Sequence, residues 1–156
     1  MGLDMFLSKK TYIGANYQHR NVDLKIDVKI GDKEIKINPK KVSYILEEAA
    51  YWRKSNQIHA WFVENCQGGE DDCGNYIVST AQLKELIELC EQVLEKKDEA
   101  FSEENLPTQE GFFFGGTEYG EYYYSDLEDT IKMLTEAIAD VDEKDPDVDF
   151  EYHSSW

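Results

Sequence analysis

Five apolar residues, Val22, Leu24, Ile26, Val28 and Ile30, alternate without a break with Asp23, Lys25, Asp27 and Lys29. Period two sends successive side chains to opposite faces, so this stretch predicts a strand with one buried and one charged face, and no helix can segregate it. Gly31-Asp32 follows, and Ile35 and Ile37 resume the alternation, which reads as a hairpin. Leu3, Met5 and Leu7 alternate in the same way and predict a short first strand, with a loop over Gly14 to Arg20.

The rest of the chain shifts toward helical spacing. Asn38 can cap and Pro39 fits a first helical position, so a helix is expected to open there with Val42, Ile45, Leu46 and Ala49 on its apolar face. The pattern extends to about Asn65, with a break near Ser55. Residues 67–72 read as a loop and Tyr76 to Val78 as a short strand. Ser79 and Gln82 have the spacing of a capping box ahead of Leu83, Leu86, Ile87, Cys90, Val93 and Leu94. Lys96 to Glu104 is charged and reads as a helix end or a loop. Gly111 to Tyr124, rich in Gly and aromatics, reads as strand, turn, strand. Ser125 and Glu128 suggest a second capping box, opening a final helix on Leu127, Ile131, Leu134, Ile138 and Val141. The expected architecture is α+β: antiparallel β-hairpins packed against about three α-helices in a single domain over 1–141. An acidic C-terminal tail, 142–156, either docks through Phe150, Tyr152 and Trp156 or stays free.

The chain has 156 residues, 41% of them hydrophobic and 13% aromatic. That is enough to build a core without disulfides or metals. No apolar run reaches the roughly 20 residues a membrane helix needs, and the start of the chain lacks the basic and apolar regions of a secretory signal, so a cytoplasmic location is expected. Cys66, Cys73 and Cys90 are then expected as reduced thiols.

The net charge of −17 is split unevenly. Residues 1–62 carry 11 Lys and Arg against 7 Asp and Glu, or +4, and residues 63–156 carry 5 against 26, or −21. Such a chain repels nucleic-acid polymers and anionic membranes, while its acidic half attracts basic protein surfaces.

The least core-like run is Tyr51 to Phe62. On one continuous helix Trp52, Asn56, His59 and Val63 share a face, flanked by Arg53 and Gln57, with Lys54 and Trp61 on the neighbouring face. Rings for stacking, amides for reading donor and acceptor edges, and cations for neutralising phosphate suit a small anionic, nucleotide-like ligand. The candidate ligand-binding set is Trp52, Arg53, Lys54, Asn56, Gln57, His59, Trp61 and Tyr119, the last from the aromatic 111–124 segment. The same pattern also reads as hydrogen-bonded polar groups inside an aromatic core.

His59, Cys66 and Cys73 lack the paired ligands of a zinc site, and Asp71 to Asn75 lacks the ligand rhythm of a calcium loop, so no metal and no cofactor is expected. No nucleophile elbow, phosphate loop or dinucleotide fingerprint is present. An enzyme built on His59 with a cysteine or a carboxylate remains a third reading.

The opening Met1 to Leu7, the block Tyr51 to Asn65, the Asp72-Cys73-Gly74 turn and Leu106-Pro107-Thr108 with Gly111 to Gly115 together resemble a family of small uncharacterised phage and prophage proteins. The resemblance spans most of residues 1–140 and is densest at 51–65. It implies action in a bacterial host cytoplasm, either by capturing a nucleotide signal of host defence or by inhibiting a basic host protein as a nucleic-acid mimic. It supplies no catalytic residues.

Overall fold

A computed structural model of the chain describes residues 2–15, 19–20 and 23–156. Among these residues there are six strands and four α-helices in an α+β arrangement with antiparallel sheets. The main sheet has the order β4-β1-β6-β5, from β1 (Asp4–Tyr12), β4 (Tyr44–Arg53), β5 (Asn75–Val78) and β6 (Val148–Ser155). A separate hairpin joins β2 (Val28–Ile30) to β3 (Lys33–Ile35).

The helices cover one face of the main sheet. Met5 and Leu7 of β1, Ala50 and Trp52 of β4, Val78 of β5, and Phe150 and Tyr152 of β6 are buried together against Leu83, Leu86, Leu127 and Leu134 of the helices. The alternate residues Phe6, Tyr51, Ile77 and His153 lie on the opposite face, half-buried or exposed. This is the usual economy of an antiparallel sheet with one dry and one wet side. Register across β1 and β4 slips between Leu7, opposite Ala50, and Ser8, opposite Glu48, so Ala49 is an extra residue in a bulge.

Several sequence expectations give way here. The helix expected from Asn38 is a single 3₁₀ turn, Pro39–Lys41, although Asn38 does cap it by accepting from the Lys40 amide at 3.1 Å. Tyr44 to Arg53 is a strand, because β1 offers a complete ladder that outweighs the helical spacing of Ile45, Leu46 and Ala49. Only Val28 to Ile30 of the alternating stretch forms a ladder, and Val22 lies outside the described residues. Alternation survives as exposure alone: Asp23, Lys25 and Asp27 are exposed, and Leu24 and Ile26 are half-buried. The loop expected at Gly14 to Arg20 has its centre, residues 16–18, outside the described residues.

The helices are α1 (Asn56–Cys66), α2 (Thr80–Lys96), α3 (Glu99–Asn105) and α4 (Glu121–Ile138). The Ser79 capping box of α2 forms in both directions, at 3.1 and 2.9 Å. The charged 96–104 segment includes α3, whose Asp98 cap accepts from the Phe101 amide at 2.9 Å. The strand expected at 122–124 is instead the first turn of α4, which starts after Gly120, so the expected Ser125 box falls inside a helix. Tyr123, Leu127, Thr130 and Leu134 form one buried stripe, and that continuous helical spacing overrides the β preference of three tyrosines. Residues 142–156 are not simply a tail, since β6 is an interior strand between β1 and β5.

Candidate functional site

Strand β4 runs directly into α1, so Trp52 and Asn56 do not share a helix and the continuous recognition face expected from Tyr51 to Val63 is not formed. Trp52, Asn56, Gln57, His59 and Trp61 are all buried, each at 8% exposure or less. The polar ones are bonded to their own chain. Trp52 Nε1 donates to Thr130 Oγ1 at 2.9 Å. Asn56 Nδ2 donates to the carbonyls of Phe114 and Gly116, at 3.2 and 2.8 Å, and its Oδ1 accepts from the Gln109 amide at 2.9 Å. One side chain thus clamps both ends of the 109–116 loop. Gln57 Nε2 donates to Asp126 Oδ2 at 3.1 Å.

His59 sits between the Tyr152 hydroxyl, 2.8 Å from Nδ1, and Asp71 Oδ2, 3.0 Å from Nε2. Asp71 in turn accepts from Trp156 Nε1 at 3.0 Å. Burial pushes the Tyr152 phenol above its ordinary value, so it stays protonated beside Nδ1. Both rings are fully buried, and the relay ties α1 to β6 and the 70–73 loop. Burial also pushes the Cys66 and Cys90 thiols up to about 12, which keeps both protonated and poorly nucleophilic. Among the described residues no group of three His, Cys, Asp or Glu side chains is placed to hold a metal.

Arg53 and Lys54 remain exposed, at the turn between β4 and α1. Lys54 has φ +60, and Gly115, with φ +100, packs so close that a Cβ there would stand 2.9 Å from the Lys54 carbonyl. Beside them lies a cavity of about 300 Å³, lined by Arg53, Lys54, Gln57, Gly116, Glu118 and Asp126, and continued by Gly120 and Tyr122 at the start of α4. That helix start has no side-chain cap. Tyr122 is 90% exposed. Tyr119 lies apart, half-buried against Tyr123, its hydroxyl accepting from the Thr108 amide at 3.3 Å. Desolvation by burial raises the Asp126 carboxyl, although the Gln57 hydrogen bond counteracts it.

A second cavity of about 490 Å³ shares Arg53 and Asp126 with the first. It runs between β4, at Tyr51 and Trp52, and α4, at Asp129, Met133 and Glu136. Sequence reasoning found Arg53, Lys54 and Gln57. It missed Asp126, Thr130, Asp71 and Tyr152, which lie 12 to 93 positions from their partners. The one readable signal was Asp126 and Thr130 four apart on the helical stripe, where aliphatic residues would be expected. Comparisons with protein-family models, with curated proteins and with solved structures found no match for the chain.

Proposed function

We propose that this is a non-catalytic binding protein whose acidic half engages a basic protein surface. The observation that carries the reading is the state of its carboxylates. Of the 26 acids in residues 63–156, Asp71, Glu143, Asp147 and Glu151 lie within ion-pair distance of a Lys, Arg or His, and most of the others point to solvent. Glu85, Glu88 and Glu91 on α2, and Glu128, Asp129 and Glu136 on α4, are among these exposed acids. Uncompensated surface charge of one sign costs folding stability through self-repulsion, and a basic partner relieves that repulsion. In the phage setting that the sequence resembles, the partner would be a basic host protein.

The test is capture from a bacterial lysate at about 50 and about 500 mM salt, followed by affinity measurements on each purified partner, because screening lengthens or shortens the reach of these charges. The expected partner is basic, binds more weakly at high salt, and loses affinity when Glu85, Glu88, Glu128 and Asp129 are all changed to Lys. A partner indifferent to both changes, or no partner at all, overturns the reading.

A second reading is favoured by the 300 Å³ cavity, which Arg53 and Lys54 line together with Gly120 and Tyr122 from the start of α4, where no side chain caps the helix. Helix N-terminal amides and cations suit a small anion, and an exposed ring suits a base. This keeps the nucleotide-like ligand of the sequence reading but rests it on Arg53, Lys54 and Tyr122. Calorimetry with mono-, di- and cyclic nucleotides at about 100 μM protein tests it, and no heat with any of them removes it.

A further inference from the structure

Strand β4 is an edge strand: among the described residues its one strand partner is β1, and the β2–β3 hairpin forms a separate sheet. At ten residues it is long for an edge, and Tyr44, Ile45, Leu46 and Tyr51 are 39 to 63% exposed along it. It carries no proline, and although a bulge at Ala49 interrupts it, the ladder is regular from Ala50 to Arg53, so the usual devices that blunt such an edge act at that one position only. Beside its C-terminal half lies the 490 Å³ groove, with α4 as the far wall. An edge strand flanked by a helix across a groove is the geometry in which an extended peptide adds as a further strand.

We propose that the groove between β4 and α4 takes an extended basic peptide, which pairs with β4 as a fifth strand of the main sheet. This rests on the reading of the acidic half as a binder of basic protein. The occupant's chemistry follows from the walls. Asp126, Asp129 and Glu136 face Lys132 and Arg53, and Arg53 lies 3.9 Å from Asp4. The lining itself holds three acids against two cations, and the excess of negative charge comes from α4 as a whole, which carries five acids against one lysine. Apolar contact is offered by Met133 on the helix and by Tyr51 on the strand. An added strand sends alternate side chains to opposite sides, so Lys or Arg in every second position would face the acids of α4. The intervening side chains would extend the open face at Tyr51. From Asp126 to Glu136 the helix rises about 15 Å, which accommodates roughly four or five extended residues.

The test uses the full chain and a library of capped six-residue peptides in which Lys or Arg alternates with Val, Ile, Leu or Tyr. Affinity is read by fluorescence anisotropy, and hydrogen exchange is followed over residues 44–53. The best peptide is resynthesised with N-methyl groups on its even-numbered or its odd-numbered amides. A paired strand turns only one of these sets toward β4, so one methylated form should lose at least tenfold and the other much less. The D129K and E136K variants, at exposed positions whose folding is checked by thermal melting, should each weaken binding several-fold. Protection should rise across 44–53. If both methylated forms bind like the parent, or if β4 gains no protection, strand addition is overturned while the basic-protein reading stands. If no peptide binds but an intact basic partner does, strand addition falls in the same way. If neither binds, both fall.

Discussion

Asn56 is the side chain on which the candidate site's shape depends, and replacing it is the sharpest test of the geometry. Its amide makes three hydrogen bonds to the backbone of the 109–116 loop: two donated, to Phe114 and Gly116, and one accepted, from Gln109. A typical net hydrogen bond contributes about 0.5–1.5 kcal/mol, which puts the sum at roughly 1.5–4.5 kcal/mol. The Gly116 and Gln109 bonds are only partly buried, so water replaces part of what is lost. About 2–3 kcal/mol is therefore expected for Asn56→Ala. In a domain near 150 residues each kcal/mol lowers Tm by about 2–4 °C, so the expected drop is about 4–12 °C. Asn56→Asp should cost more than Asn56→Ala, although it is nearly isosteric, because a carboxylate cannot donate to two carbonyls and repels both. Urea titration gives the free energies, and amide exchange of 109–116 should rise in both variants before global unfolding does. A loss below about 0.5 kcal/mol for Asn56→Ala, or Asp tolerated better than Ala, would refute the clamp.

Gly115→Ala places a methyl 2.9 Å from the Lys54 carbonyl at φ +100, and should destabilise by about 1–3 kcal/mol by chemical denaturation. Trp52→Phe and Thr130→Val each remove one end of the 2.9 Å Nε1–Oγ1 bond, and each should cost about 1–2 kcal/mol. The double variant should cost clearly less than their sum, and strict additivity in the cycle would show that the bond carries no coupling. The Asp126 carboxyl is raised in the folded state, so its contribution is fully present below the unfolded carboxylate value and is lost as pH rises through the folded one. Relative to wild type, Asp126→Asn should therefore gain stability as pH rises from about 3 to 7, and melting curves across that range should converge at the acid end. Native Cys90, fully buried with its thiol at about 12, should resist a thiol reagent at pH 8 until the chain unfolds. Its thiolate fraction there is about one in ten thousand, which mass spectrometry of labelled protein can check.

Buried amides and a buried imidazole within one short helix impose a condition that an aliphatic helix would not. Each needs its partners in place before the helix can pack, since an unpaired buried polar group costs about as much as several methylenes recover. α1 therefore joins parts of the chain that are distant in sequence: the 109–116 loop through Asn56, α4 through Gln57, and β6 through His59. The exposed Arg53 and Lys54 and the groove beside β4 are held in shape by this network.

What was legible in the residues themselves was local. Period-two spacing at Met5 and Leu7, the Ser79–Gln82 box and the stripe from Leu127 to Leu134 each encode their element within a few positions, because turn and strand geometry act over that range. The charge split between the two halves was likewise readable by counting. Tertiary structure decided the rest. Residues 44–53 carry a spacing compatible with helix, yet become a strand because β1, about 40 residues earlier, presents unpaired backbone groups that only a strand can satisfy. The three tyrosines at 122–124 become helix because Tyr123 fits the buried stripe and its hydroxyl reaches the Leu106 carbonyl at 2.8 Å. The polar groups of α1 are sealed rather than displayed because their partners, Asp71, Phe114, Asp126 and Tyr152, come from segments whose proximity no spacing in the sequence records. Spacing constrains which face a residue takes, whereas burial depends on what the rest of the chain places against that face.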